Sequence, residues 1–234
     1  MQNPNQSPRL TVQEIRDGCI HSHEGDENEI RICAMEEEFR QGLDIIKDVD
    51  RAVTIFGSAR TDVSSPYYEK AKRLADRIVK EAQCAVLTGG GPGIMQGANE
   101  GAHNAGGDSF GFTIKLPSEQ HTNPFVTREI PFYYFFTRKV AMTFTADAFL
   151  VFPGGFGTLD EAFEVTTLMQ TGKIPAVPMI FVGVDFWSPL FDFIKAKMLG
   201  EEKTISPKDM DLIILTDDED LIIKTIQSAP FYKK

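Results

Sequence analysis

In Ala148-Phe149-Leu150-Val151-Phe152-Pro153-Gly154-Gly155-Phe156-Gly157-Thr158-Leu159-Asp160-Glu161 an apolar run suited to one buried strand meets a glycine-rich corner. Beyond it, Leu159, Ala162, Phe163 and Leu168 recur at helical spacing. Strand, glycine turn and helix together make an anion site. The glycines let the backbone turn sharply with no Cβ in the way, and the first amides of the new helix point out of the turn with the positive end of the helix dipole behind them. A phosphate is the natural occupant. Glu161 lies about one helical turn, roughly 5 Å of rise, past the glycines. A carboxylate there repels a phosphate set directly against it, so any role toward a ligand falls on the next part along, which in a nucleotide is the ribose. The spacing leaves a second reading open: Thr158-Leu159-Asp160-Glu161 also has the form of a capping box, with Thr158 as N-cap and Glu161 folding back on its amide.

Upstream, strand and helix alternate. Ala52 to Phe56 is a short strand running into Gly57-Ser58-Ala59-Arg60, followed by a helix over 66–82 with Tyr67, Ala71, Leu74, Ala75 and Ile78 inward. Residues 84–87 form the next strand, ending in Thr88-Gly89-Gly90-Gly91-Pro92-Gly93-Ile94-Met95 and a helix of small residues through Asn99, Gly101 and Ala105. A third strand, Ser109 to Ile114, ends at Lys115-Leu116-Pro117-Ser118-Glu119. After residues 120–123 come the aromatic run Phe132-Tyr133-Tyr134-Phe135-Phe136 and a helix over 136–145 that begins with Arg138 and Lys139. Past the glycine corner, strands at 177–182 and 212–215 alternate with a helix around 187–198 and a closing helix opened by Asp217 or Asp218.

This layout predicts an α/β fold, a doubly wound parallel sheet over residues 51–234 with ligands outside the carboxyl ends of its strands. Residues 1–50 read as an N-terminal arm. Its first stretch, rich in Gln, Asn, Pro and Ser, is expected to be disordered, and residues 30–49 suit one amphipathic helix with Met35, Phe39, Leu43 and Ile46 on its apolar stripe.

Of 234 residues, 42% are apolar and 25% charged, ordinary for a soluble globular chain with a sizeable core. The formal net charge of -10 argues against nucleic acid or an anionic membrane surface as a partner. No apolar run reaches the ~18 residues of a membrane span, and residues 1–10 lack the layout of a signal peptide, so a cytoplasmic location is expected. Cys19, Cys33 and Cys84 are odd in number and widely spaced, suggesting neither a disulfide framework nor a C-x-x-C site. His21 and His23 lie in the polar arm, and His103 and His121 have no ligand-spaced companions, so no metal site is expected.

The loop from Gly89 to Gly93 reads G-G-G-P-G, not G-x-G-x-x-G, and the strand after it ends in Thr113 and Lys115 rather than in an acid placed to hold an adenosine ribose. A nicotinamide or flavin enzyme is disfavoured. A Walker loop is excluded, because no glycine is followed by Lys and then Ser or Thr in the required frame. Each glycine loop alone has a plain explanation as a tight strand-to-helix turn, yet three at one sheet edge, Gly57-Ser58 included, suffice to wall a mononucleotide pocket. Arg138 and Lys139 read either as solvated cations or as site residues. Cations are unfavourable beside a helix N-terminus, and a local misfit of that kind points toward function.

The Gly89 to Met95 loop with residues 99–102 behind it, the Arg138-Lys139 pair and the run from Pro153 to Glu161 resemble, in that order, the LOG family of cytokinin riboside 5′-monophosphate phosphoribohydrolases, often labelled lysine decarboxylase-like. The resemblance covers roughly residues 52–199. At Gly57-Ser58-Ala59-Arg60 the chain looks more like bacterial members described as AMP or purine-nucleotide nucleosidases than like the plant members. The resemblance implies a Rossmann-like fold used for hydrolysis without a cofactor, splitting a purine nucleoside 5′-monophosphate, either AMP or a cytokinin riboside monophosphate, into free base and ribose 5-phosphate. It implies Arg138 and Glu161 as the catalytic pair. Nucleotide contacts fall to Glu119, Lys139, Thr167 and the run Gly154, Gly155, Phe156, Gly157, Thr158, Leu159 and Asp160. Gly57, Ser58, Gly90, Gly91 and Met95 complete the expected substrate contacts.

The resemblance also implies a homodimer or higher oligomer, for which residues 132–136 and the stripe at Met35, Phe39 and Leu43 are either interface or core. No lysine sits in a pyridoxal-phosphate context, so the decarboxylase label carries no chemistry here. A non-catalytic purine-nucleotide sensor on the same fold would keep the glycine loops but could dispense with Arg138 and Glu161. A redox enzyme is the third and weakest alternative.

Overall fold

In the computed structural model, which describes residues 10–22, 26–47, 49–115 and 121–230, the sheet starts at β1 (Ala52–Phe56). It grows to one side through β2 (Ala85–Thr88), β3 (Ser109–Ile114) and β4 (Arg128–Phe132). The chain then returns to the middle, where β5 (Ala148–Val151) pairs with β1, and continues outward through β6 (Met179–Phe181) and β7 (Ile213–Leu215). The order is β4-β3-β2-β1-β5-β6-β7, with every pair parallel. Because the winding reverses between β1 and β5, the loops leaving those neighbouring strands diverge, and a crevice opens between them.

Side chains alternate across the sheet, as a pleat requires. Ala52 and Phe56 of β1 with Phe149 and Val151 of β5 pack on one face, while Val53 and Ile55 with Ala148, Leu150 and Phe152 pack on the other. Both faces are covered, which is why these strands read as unbroken apolar runs. The second face lies under α3 (Pro66–Ala82), α4 (Ile94–Asn104) and α9 (Glu219–Ser228). The first lies under α5 (Phe135–Thr145), α6 (Phe156–Gln170) and α7 (Val184–Phe193), where Trp187 stacks edge-on against Phe181. α7 runs on as a π-helix over Ile194–Glu201, and the single turn α8 (Pro207–Met210) precedes β7.

Helix α3 starts where its cap predicts: Ser65 accepts from the Tyr67 amide and Pro66 takes the first helical position. Tyr68, not the expected Tyr67, is its buried tyrosine. α4 packs against it so closely that a Cβ on Gly101 would overlap the Lys72 carbonyl. Gly101→Ala gains about 1 kcal/mol in helix propensity but forces the two helices apart, for which we expect a net destabilisation of about 1–3 kcal/mol. A urea titration reads it, and an unmoved midpoint would show that separating the helices costs no more than the gain in propensity.

Three expectations change. β4 was not anticipated, because Arg128, Glu129 and Pro131 hide its alternation of buried Ile130 and Phe132. An edge strand tolerates proline. The arm holds two helices, α1 (Val12–Ser22) and α2 (Glu27–Ile46), where one was expected, and residues 1–9 of the stretch expected to be disordered lie outside the described residues. Cys19 and Cys33 are joined in a disulfide between those helices, with Cα atoms 5.8 Å apart, which overturns the reading of unpaired cysteines. Widely spaced cysteines are easy to dismiss until two helices bring them together.

The arm's apolar stripe is only partly covered: Phe39 meets the Phe136 ring, Leu43 is exposed, and the side chain of Ile46 lies outside the described residues. The aromatic run divides between core and surface. Phe132 is buried, whereas Tyr133, Phe135 and Phe136 are exposed. Among the described residues no helix is long and apolar enough to cross a membrane.

Candidate active site

The corner after β5 begins its helix earlier than a capping box requires. α6 starts at Phe156 with Gly155 as a cap that makes no side-chain bond, and its first helical hydrogen bond runs from the Leu159 amide to the Gly155 carbonyl at 3.1 Å. The amides of Phe156, Gly157 and Thr158 therefore precede the helical ladder and point out of the helix start. Thr158 lies inside the first turn, packed so that a Cβ on Gly154 would overlap its hydroxyl. Glu161 is on the second turn, directed at Arg138. The capping-box reading is thereby removed, because a helix that opens at Phe156 cannot use Thr158 as its N-cap.

The loop after β1 is held against this corner. The Ser58 amide donates to the Pro153 carbonyl at 3.1 Å, and the Ser58 carbonyl accepts from the Ile94 amide at 3.0 Å. Gly93, at φ +68°, touches that same carbonyl where a side chain would collide. A buried polar network fixes the third loop. Asn123 Nδ2 lies 3.1 Å from the Gly90 carbonyl, 3.0 Å from that of Gly91 and 2.9 Å from Asn99 Oδ1. Thr88 donates to Asn99 and accepts from the Gly90 amide. Gly90 and Gly91 are thus floor, and Gly89 is the glycine that faces the opening. Sequence reasoning passed over Asn123, whose one signal was its place just after the third strand's loop.

Arg138 bridges the strand ends. Its Nε donates to the Phe112 carbonyl of β3 at 2.7 Å, its Nη2 lies against Gly89, and its Nη1 stands 3.3 Å from Glu161 Oε1. The two side chains are only 11% and 14% exposed. Burial pushes the Glu161 carboxyl above its ordinary range, opposed by the nearby charges of Arg138 and Lys139. Burial likewise disfavours charge on Arg138, and Glu161 opposes it. For each group burial outweighs the partner's charge, so what support its ionised form has comes from that partner rather than from water, and a positive charge developing beside the carboxylate would be felt strongly.

A cleft of about 490 Å³ opens over the reversal between β1 and β5, within the range of small-ligand sites. Of the residues expected from sequence, Gly57, Ser58 and Met95 line one wall; Gly155, Phe156, Gly157, Thr158 and Asp160 line the other, and Arg138 and Glu161 are also among its lining residues. Lys139, Leu159 and Thr167 instead line a neighbouring hollow of about 580 Å³, which shares Phe156 and Asp160 with the cleft. Lys139 Nζ is occupied there by Asp160 at 2.9 Å and Glu164 at 2.5 Å. Phe156, 92% exposed, stands at the junction. Gly154 serves packing beneath Thr158, and Glu119 lies outside the described residues. Arg60, Gly89 and Phe135 also line the cleft and were not among the expected contacts. Arg60 was legible as a cation two residues after Ser58.

The family model described as "Possible lysine decarboxylase" matches residues 95–226, more than half the chain. The cytokinin riboside 5′-monophosphate phosphoribohydrolase LOG3 of Arabidopsis thaliana is 28% identical over 197 residues, covering 83% of this chain and 90% of that one. The LOG2 enzyme of the same plant is 31% identical over 146 residues, covering 62% and 68%. The molybdenum cofactor binding protein of the phototrophic bacterium Rippkaea orientalis superposes with a TM-score of 0.55 at 22% identity, over 76% of this chain and 94% of that one, a likeness of fold alone. With its Rossmann-like sheet, its loops in order and this match, the chain belongs to the LOG family.

Proposed function

We propose that this chain hydrolyses the N-glycosidic bond of a purine nucleoside 5′-monophosphate, AMP or a cytokinin riboside monophosphate, releasing the free base and ribose 5-phosphate. The observation that carries the reading is the buried Arg138–Glu161 pair, facing a cleft one turn beyond a helix start whose leading amides have no helical partner. The names of the relatives at 28% and 31% identity support the same reaction class.

The 5′-phosphate docks on the amides of residues 156–158, with Arg60 at the rim. The ribose then lies toward Glu161. As the bond from the anomeric carbon to the base nitrogen breaks, positive charge grows on the ribose and negative charge on the base. Glu161 stabilises the first and orients the attacking water, while Arg138 stabilises the second. Water's oxygen ends on the anomeric carbon and its proton leaves with the base. Because the phosphate is remote from the reacting carbon, its binding energy goes into placing the sugar.

The test is incubation with AMP, IMP, GMP, CMP and isopentenyladenosine monophosphate, followed by chromatography for base and ribose 5-phosphate. We expect base from the purine nucleotides. No base from any of them would reject hydrolysis and leave a binding protein on the same fold.

A further inference from the structure

The arm outside the family match reaches the site through one buried acid. Glu38 of α2 is 2% exposed and accepts from the Tyr133 amide at 2.8 Å, the Tyr134 amide at 3.3 Å and the Thr137 hydroxyl at 2.7 Å. These donors surround the start of α5, whose own N-cap, Tyr134, makes no side-chain capping bond and whose first turn carries no acid. The next residue after Thr137 is Arg138, so a helix start bearing two cations receives its negative charge from another helix. α2 is seated for this: Phe39 meets the Phe136 ring at 6.3 Å, and a Cβ on Gly42 would stand 2.8 Å from Ala141 Cβ, so only glycine lets the helices approach this closely. α1 is tied behind α2 by the Cys19–Cys33 bond and lays Arg16 over the Tyr133 ring.

We propose that Glu38 is a positioning residue for Arg138: by capping α5 from the arm it fixes the rotation of that helix, and with it the guanidinium between the Phe112 carbonyl and Glu161. The kinetic part rests on the hydrolase reading above; the placement of Arg138 does not. A buried carboxylate with three donors is a stiff anchor, because loosening it leaves a charge unsolvated. A small rotation of α5 is magnified at the end of a long side chain, and displacements of about 1 Å can cost about 10²-fold in rate.

The experiment follows the Arg138 Nε–H resonance by NMR, assigned by its loss in Arg138→Lys, in wild type, Glu38→Gln, Thr137→Val and Thr137→Ser. In wild type the proton is buried and bonded to Phe112, so its exchange with solvent is slow. We expect fast exchange or loss of the signal in Glu38→Gln and Thr137→Val, and wild-type behaviour in Thr137→Ser, which keeps the hydroxyl. On nucleotide we expect the first two to lower kcat by roughly 10–100-fold with KM little changed, and Thr137→Ser to remain near wild type. An unchanged Nε–H signal in both Glu38→Gln and Thr137→Val overturns the proposal, and so does a displaced signal with full kcat. An inactive wild type rejects the hydrolase reading instead, and the NMR comparison still decides whether Glu38 places Arg138. Should Glu38→Gln fail to fold, the Thr137 pair carries the same comparison.

Discussion

Glu161→Gln is expected to lower base release from AMP by about 10²–10⁴-fold while the protein stays folded and loses the part of its pH-dependent stability that Glu161 carries. The first half follows from position: in the proposed reaction this carboxylate faces the carbon where positive charge develops. The second follows from its burial, which holds the folded-state pKa above the ordinary carboxylate range. A folded state that binds the proton more tightly than the unfolded chain is favoured at low pH. The contribution of Glu161 is therefore fully present below the unfolded pKa and is lost as pH rises through the folded one.

Glutamine keeps an oxygen for Arg138 Nη1 but does not titrate, so the variant should lose that part of the pH dependence; it also leaves the buried Arg138 without its counter-charge, so some stability is lost as well. Melting curves and base release across pH check both halves. A variant that releases base at the wild-type rate removes Glu161 from the chemistry. One that keeps the wild-type pH dependence of its melting shows that Glu161 is not the group whose titration burial shifts. Arg138→Ala is expected to lose as much activity and also some stability, because Glu161 would then be buried without its counter-charge and the Phe112 carbonyl would lose its donor.

The second large effect lies in the substrate. AMP should exceed adenosine in kcat/KM by about 10²-fold or more, the scale on which a preorganised backbone donor contributes to a reaction. The glycines permit a sharper version of this test. Nothing lies within 4 Å of where a Cβ on Gly155 or Gly157 would stand, so alanine at either position leaves the packing intact. Any loss in Gly155→Ala or Gly157→Ala is then a loss of approach by the ligand and should weigh on AMP far more than on adenosine. Gly154→Ala differs in kind, because its Cβ overlaps the Thr158 hydroxyl and disturbs the corner with or without ligand. Equal turnover of AMP and adenosine would remove the phosphate from the mechanism.

Much of this was legible in the chain because the sheet is buried on both faces. Runs such as Ala52 to Phe56 and Ser109 to Ile114 have no other use, and glycine loops follow where strands end. What stayed hidden depends on tertiary partners. β4 carries Arg128, Glu129 and Pro131 and is a strand only because β3 is beside it. The cations at the start of α5 looked like a misfit because their counter-charges come from afar: Glu161 for Arg138, Asp160 and Glu164 for Lys139, and Glu38 for the helix itself. The capping-box spacing was real but idle, since a glycine corner can start its helix before the threonine. Asn123 could not be read as a brace until the loop it holds had folded over it.

The sole tryptophan of the chain, Trp187, is 2% exposed between Phe181 and Phe186 and does not line the cleft. Its fluorescence should accordingly be emitted at short wavelength and shift to the red when the packing around α7 opens to water. A nucleotide entering between β1 and β5 has no indole to quench. Intrinsic emission is thus a clean optical record of unfolding in this protein and a blind one for occupancy, so titrations of ligand need calorimetry or a labelled nucleotide.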